Sequence, residues 1–113
     1  MQEPLQISYR DVEPSAAIDA AIRERALKLE EFFDRITGCR VMIESPHRHH
    51  RQGRLYHLRV ELAVPGRVLV VNRDPQEDQS HEDIYVAIRD AFDAVRRQLE
   101  DYAHEMRVSR RHE

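Results

Sequence analysis

The chain has 113 residues, 41% hydrophobic and 35% charged, which suits one domain with a modest core and leaves little room for a second. With 18 basic and 21 acidic residues the net charge is −3, so the chain as a whole is not a polycation that coats nucleic acid indiscriminately. Cys39 is the only cysteine, which excludes an internal disulfide; no stretch approaches the roughly 20 apolar residues of a membrane span, and the start MQEPLQISYR lacks the apolar run of a signal peptide, so a soluble cytoplasmic protein is expected.

In chain order, LQISYR alternates, with Leu5, Ile7 and Tyr9 on one side, and predicts a short strand. EPSAAIDAAIRERALKLEEFFDRITG predicts a helix from Ser15 to Ile36. Ser15 is the N-cap after Pro14, Gly38 is the stop, and Ile18, Ile22, Leu29, Phe33 and Ile36 share one stripe. CRVMIES predicts a second strand, with Val41 and Ile43 on one face and Cys39 packed at its start. RLYHLRVELAV predicts a third, in which Tyr56, Leu58, Val60, Leu62 and Val64 alternate with His57, Arg59, Glu61 and Ala63. Pro65 and Gly66 make a tight turn into a fourth strand, RVLVVNR, and the last two strands form a hairpin. DPQEDQSHED is an acidic loop in which Ser80 and Asp83 resemble a capping box. A second helix from Ser80 to Arg107 carries the stripe Ile84, Ile88, Ala91, Val95, Leu99, Tyr102 and Met106. Residues 109–113 are expected to fray, leaving a single domain over 1–108.

This order implies an α/β (α+β) two-layer sandwich, βαβββα, with a four-stranded mixed sheet and both helices on one face. The first strand returns through a helix and is expected to pair in parallel with its neighbour.

Charge is unevenly spread. Residues 1–34 carry four basic and eight acidic groups, 35–73 eight and two, 74–83 none and five, and 84–113 six of each. The basic block centres on SPHRHHRQGRLYHLRVELAVPG, between strands two and three. Three readings stand beside one another: a metal site of His47, His49, His50 and His57; an RNA contact through Arg48, Arg51 and Arg54, with Tyr56 able to stack if exposed; or a polar turn. Against metal, no cysteine lies nearby, the nearest acids are Glu44 and Glu61, and the surrounding arginines repel a cation. Tyr56 shares phase with Leu58 and Val60, which directs it to the core. On the first helix Arg25 and Lys28 lie on one edge of the apolar stripe, where they can border the cleft between the helices or pair with Glu24 and Glu31. On the second, Arg89, Arg96 and Arg107 fall within about 20° of one another by helical geometry, interrupted by Glu100. Asp90, Asp101 and Glu105 occupy the opposite flank. His81 and Glu82 form no recognisable catalytic pair, since no nucleophile and no H-E-x-x-H pattern accompany them, and the helix dipole accounts for Glu82. No enzyme and no cofactor are expected.

The pieces KLEEFFDRI (28–36), VELAVPG (60–66) and DIYVAIRDAFDAVRRQLEDY (83–102) resemble the ribosome hibernation promoting factor and ribosome-associated inhibitor family, also labelled the sigma-54 modulation protein family. The resemblance runs from the first strand to the end of the second helix. It implies a βαβββα domain that binds the small ribosomal subunit through ribosomal RNA, near the decoding centre. There it blocks messenger and transfer RNA sterically and inhibits translation in stress or stationary phase. It implies the short form, without the C-terminal domain by which long forms pair ribosomes, acting as a free monomer with no small-molecule substrate and no membrane partner. In the family the positions of Arg25 and Lys28 line the RNA-facing surface, and Arg97 matches a commonly basic position. Ala94, Asp101 and Glu105 stand where lysines are frequent, so Arg48, Arg51 and Arg54 are expected to supply contacts that the second helix no longer makes. Two rivals remain: a metal-dependent sensor using the histidines, and an RNA-binding module with a target other than the ribosome.

Overall fold

The structure, a computed structural model, describes residues 1–45, 56–73 and 83–111. The elements are β1 (Gln6–Arg10), α1 (Ala16–Phe32), β2 (Gly38–Glu44), β3 (His57–Val64), β4 (Arg67–Arg73) and α2 (Ile84–Arg111). The sheet order is β1-β2-β3-β4, with β1 parallel to β2 and the other neighbours antiparallel. The parallel pair arises because α1 carries the chain back to the end of the sheet from which β1 started. Pro65 and Gly66, the latter at φ 78°, turn β3 into β4; glycine takes that left-handed conformation without strain.

The period of two sorts the sheet into a dry and a wet face. Val41, Ile43, Leu58, Val60, Leu62, Val64 and Leu69 are buried, and the register sets Val41 against Val60 and Leu62 against Leu69. They form one cluster with Ile18, Ile22 and Leu29 of α1 and Ile88, Val95 and Leu99 of α2. Both helices therefore cover the same face. Leu5, Ile7, Tyr9, Tyr56 and Met106 pack at the border of this core. The opposite face is polar: Arg59 donates to Asn72 Oδ1 at 3.1 Å, and Arg40 donates to Gln6 Oε1 at 3.3 Å.

Three helix ends differ from expectation. Ser15 caps α1 as anticipated, its Oγ accepting from Ile18 N at 3.2 Å. But α1 stops at Phe32 rather than Ile36, and Gly38 is the first residue of β2 rather than a helix stop. The sheet claims the chain earlier than the apolar stripe suggests. Thr37 N donates to Ala63 O at 2.9 Å and Thr37 O accepts from Glu3 N at 3.0 Å, so the chain must already be extended there. Ile36 still enters the core, 2% exposed, but from the connection. Gly38 lies opposite Ala63, where an added Cβ would make ordinary contact with Glu3 Oε2 at 3.5 Å.

The second helix begins at Ile84 rather than Ser80. Asp83 caps it: Oδ1 accepts from Tyr85 N at 2.9 Å, and its carbonyl accepts from Val86 and Ala87 N at 3.0 and 3.1 Å. Ser80 lies outside the described residues. At the other end α2 runs past the expected Arg107 to Arg111, because neither Gly nor Pro follows Met106 to break it. Its 28 residues reach about 42 Å, against about 26 Å for the eight residues of β3, so the last turns overhang the sheet.

Polar contacts fasten α2 along the edge strand β4. Arg73 pairs with Asp90 at 3.4 Å, Gln98 Nε2 donates to Val70 O at 3.0 Å, and Arg67 pairs with Glu105 at 3.0 Å. Seven or eight helical residues advance about 11 Å and three strand residues about 10 Å, so the two spacings match. Beyond them, the buried Tyr102 hydroxyl donates to Pro65 O at 2.7 Å, while its ring meets Phe33 edge-on, centroids 5.8 Å apart. Tyr102→Phe keeps the ring and removes only the hydroxyl. It should lower stability by about 1 kcal/mol, a few degrees in thermal denaturation, since water can reach the exposed Pro65 turn. Tyr102→Ala should cost about 3–5 kcal/mol in the same measurement.

Candidate nucleic-acid interface

The rotational setting of α2 separates its charges. With the apolar stripe on the sheet and Asp90 and Glu105 turned to the arginines of β4, the flank of Arg89, Arg96 and Arg107 is turned toward α1. Arg96 shows this directly: its guanidinium lies over the Phe32 ring of α1, 4.7 Å from the centroid. Arg25, Lys28 and Phe32 fall within about 60° of one another on α1 by helical geometry, so Arg25 and Lys28 border the same furrow. Arg25 is half-buried; Lys28 is exposed and 3.6 Å from Glu24, a surface pair worth less than about 1 kcal/mol that a phosphate can displace. Arg89 is engaged locally, donating from Nε and a terminal nitrogen to Asp90 Oδ1 at 3.2 and 3.1 Å. Arg97 is exposed on the outer side of α2, away from this furrow.

Where α2 overhangs, a groove opens between the end of α1 and the last turns of α2. Its walls include Phe32, Phe33 and Arg35 on one side and Met106, Arg107 and Arg110 on the other. Phe32, Arg35 and Arg110 were not singled out by sequence reasoning. Phe32 and Arg35 fall off the apolar stripe of the expected helix, and Arg110 was assigned to a fraying tail. The legible signals were the doublet Phe32–Phe33 two residues before Arg35 and the absence of any Gly or Pro after Met106.

Glu105 takes on a structural meaning once β4 is in view. Glu105 serves Arg67, whose guanidinium also lies 5.3 Å from the centre of the Tyr102 ring. His57 is on the polar sheet face, with Glu44 as its β2 partner. His47, His49, His50, Arg48, Arg51, Arg54, His81 and Glu82 lie outside the described residues. Among the described residues no group of three or more His, Cys, Asp or Glu could hold a metal ion, and no helix is long and apolar enough to cross a membrane.

The family described as sigma 54 modulation protein / S30EA ribosomal protein matches residues 5–107, from the first strand through most of α2. This chain belongs to that family. It is 29% identical over 99 residues to a ribosome hibernation promotion factor of Deinococcus radiodurans, covering 86% of this chain and 47% of that protein. The chain thus spans about half the length of that relative. Two solved structures share the fold: a ribosomal subunit interface protein from Coxiella burnetii (TM-score 0.68, 13% identity, 88% of this chain and 97% of that one) and the N-terminal domain of Thermus thermophilus Protein Y (TM-score 0.67, 17% identity, 86% and 94%). At those identities the agreement concerns the backbone, and the charged side chains of the furrow are read from this chain alone.

Half-buried Tyr9 and buried Cys39 are titrating groups outside the furrow. Tyr9 donates to Ser15 O at 3.2 Å, and burial, more than any neighbouring charge, raises its pKa. Cys39 is 5% exposed, and burial, with a smaller push from Glu30, moves its thiol from 9.0 up to about 12. It is a core thiol held as S–H at neutral pH. A maleimide at pH 8 should label native Cys39 orders of magnitude more slowly than the unfolded chain. Because the folded pKa is raised, its contribution to stability is complete below about pH 9 and is lost as pH climbs toward 12. Relative to a Cys39→Val chain, the parent should lose stability across that window in chemical denaturation, and an equal pH profile for both would contradict the assignment.

Proposed function

We propose that this chain is a ribosome hibernation factor. It binds ribosomal RNA of the small subunit near the decoding centre and inhibits translation sterically, its bulk filling the channel of messenger RNA and transfer RNA anticodons. It acts in the cytoplasm, as a monomer, without cofactor or substrate chemistry. The observation that carries the reading is the sorting of α2: Asp90 and Glu105 face β4, while Arg96 and Arg107 face a furrow bordered by Arg25 and Lys28. A chain of net charge −3 thereby presents a local cationic track to phosphate. The name of the Deinococcus radiodurans relative and membership of the S30EA family support the ribosome as its target. Arg89, Arg97 and the segment of Arg48, Arg51 and Arg54 belong to the proposed RNA-binding set as secondary contacts, the last three on charge alone.

Co-sedimentation with small subunits over a range of salt tests this. Each neutralised phosphate contributes roughly 0.7–0.9 to the steepness with which log K falls with log salt. Arg25→Ala with Lys28→Ala should weaken binding and flatten the slope by roughly one to two while leaving the melting temperature within a few degrees. The Arg48, Arg51 and Arg54 triple alanine chain should also bind more weakly with a flatter slope. Arg67→Ala, which faces Glu105, should change stability but not the slope. If the helix-one double variant binds like the parent at every salt concentration, the furrow is not the interface; if the triple variant does, that segment is a polar turn.

A further inference from the structure

We propose that the groove beyond Arg96 is a subsite for one unpaired RNA nucleotide, its base stacked on Phe32 and its phosphates held by Arg35, Arg107 and Arg110. The inference rests on the RNA-binding reading above and adds a component that phosphate contacts alone do not supply.

One aromatic side chain on α1 is left partly in solvent. Among the described residues the exposed large hydrophobics are Leu27, Phe32, Val68, Tyr85 and Val108. Of these, Phe32 alone both lines a groove and carries a guanidinium over its ring. It is 39% exposed at the end of α1, whereas the adjacent Phe33 turns inward to Tyr102. Arg96 lies over the Phe32 ring, and Phe32, still exposed, also lines the groove. Next to it the groove is apolar at Met106 and Ala103, and cationic at its rim through Arg35, Arg107 and Arg110 against one acid, Asp34. A flat π surface beside an apolar floor, ringed by guanidiniums, matches an unstacked base with its flanking phosphates. The base gains van der Waals and stacking contact on the ring, and the backbone gains the charge-assisted bonds. A paired base in a duplex cannot offer its face, so the ligand is a single-stranded or flipped nucleotide. Because every base has a face, the subsite is tolerant of sequence.

The overhang of α2 makes the groove possible. Were the helix to end with the sheet, Arg107 and Arg110 would have no scaffold opposite Arg35. The subsite therefore depends on the residues that the sequence pattern alone assigned to the end of the domain.

The decisive substitution is Phe32→Leu, which keeps apolar bulk and removes the π face; Phe32→Tyr keeps the face. Binding is measured at low salt to 5′-labelled hexaadenylate and to an abasic hexamer of equal charge, by fluorescence anisotropy, alongside co-sedimentation with small subunits. The parent and Phe32→Tyr should prefer hexaadenylate over the abasic strand by roughly fivefold or more, and Phe32→Leu should bind the two equally. On small subunits Phe32→Leu should lose a similar factor at every salt concentration with an unchanged salt slope, the reverse of the arginine variants. Partial exposure of the ring should keep the melting temperature of Phe32→Leu within a few degrees of the parent. No base preference in the parent, or one that Phe32→Leu retains, overturns the subsite and leaves a groove for phosphate or an acidic peptide. Base preference in a chain that fails to bind small subunits keeps the subsite and removes the ribosomal reading.

Discussion

The contact of α2 with the edge strand β4 fixes the rotation of a 28-residue helix about its own axis. An apolar stripe more than 100° wide can sit on a sheet in several rotational settings of similar burial. Asp90, Gln98 and Glu105 reduce them to one, because only one setting lets these side chains meet Arg73, the Val70 carbonyl and Arg67 together. Each exposed ion pair contributes little to stability, less than about 1 kcal/mol. Their effect is on phase. With Asp90 and Glu105 committed to β4, the other flank carries Arg89, Arg96 and Arg107, with Glu100 among them and Asp93 at its outer edge. The furrow, the cation over Phe32 and the rim of the groove follow from that setting.

The same contacts manage the sheet edge. An edge strand presents carbonyls and amides that invite another chain to pair. Gln98 occupies the Val70 carbonyl, and the Tyr102 hydroxyl occupies that of Pro65 just before the strand. One helix thus closes the core, protects an edge and displays a charged flank, each with a different third of its circumference. Glu105 serves the fold, and Asp101 is exposed on the side away from the furrow.

The sheet and its partners were legible in the sequence because period two and period 3.6 are direct consequences of backbone geometry, and Val41, Ile43, Leu58, Val60 and Leu62 show the first without interruption. Helix ends were less legible. Gly38 looks like a helix stop, but the hydrogen bonds of Thr37 to Ala63 and Glu3, formed with residues distant in sequence, extend the chain before it. Ser80 looks like a cap, yet Asp83 is nearer to the first buried residue and does the capping. Of the candidate site, Arg25, Lys28, Arg96 and Arg107 could be placed on flanks from helical spacing alone. The groove at Phe32 could not, because it depends on how far two helices of unequal length extend past a sheet. The furrow occupants were found from charge; the aromatic between them required the third dimension.

The separations along the chain rank the pairings by the entropy of closing them. β3 meets β4 across a two-residue turn with Pro65 and Gly66 already suited to it, whereas Gln6 meets Arg40 only after the whole of α1 has been spanned. Closing the longer loop costs about 2–3 kcal/mol more by chain statistics, and no contact between β1 and β2 repays it until α1 is formed and docked. The hairpin is therefore the least costly place for order to begin, and α2 can settle on it at once through contacts made to β4 alone. The parallel edge, including the β1 strand that closes the far side of the core, is the part that must wait. A chain still emerging from synthesis would hold its first strand unpaired until β2 had followed it, making β1 the segment longest exposed to wrong partners.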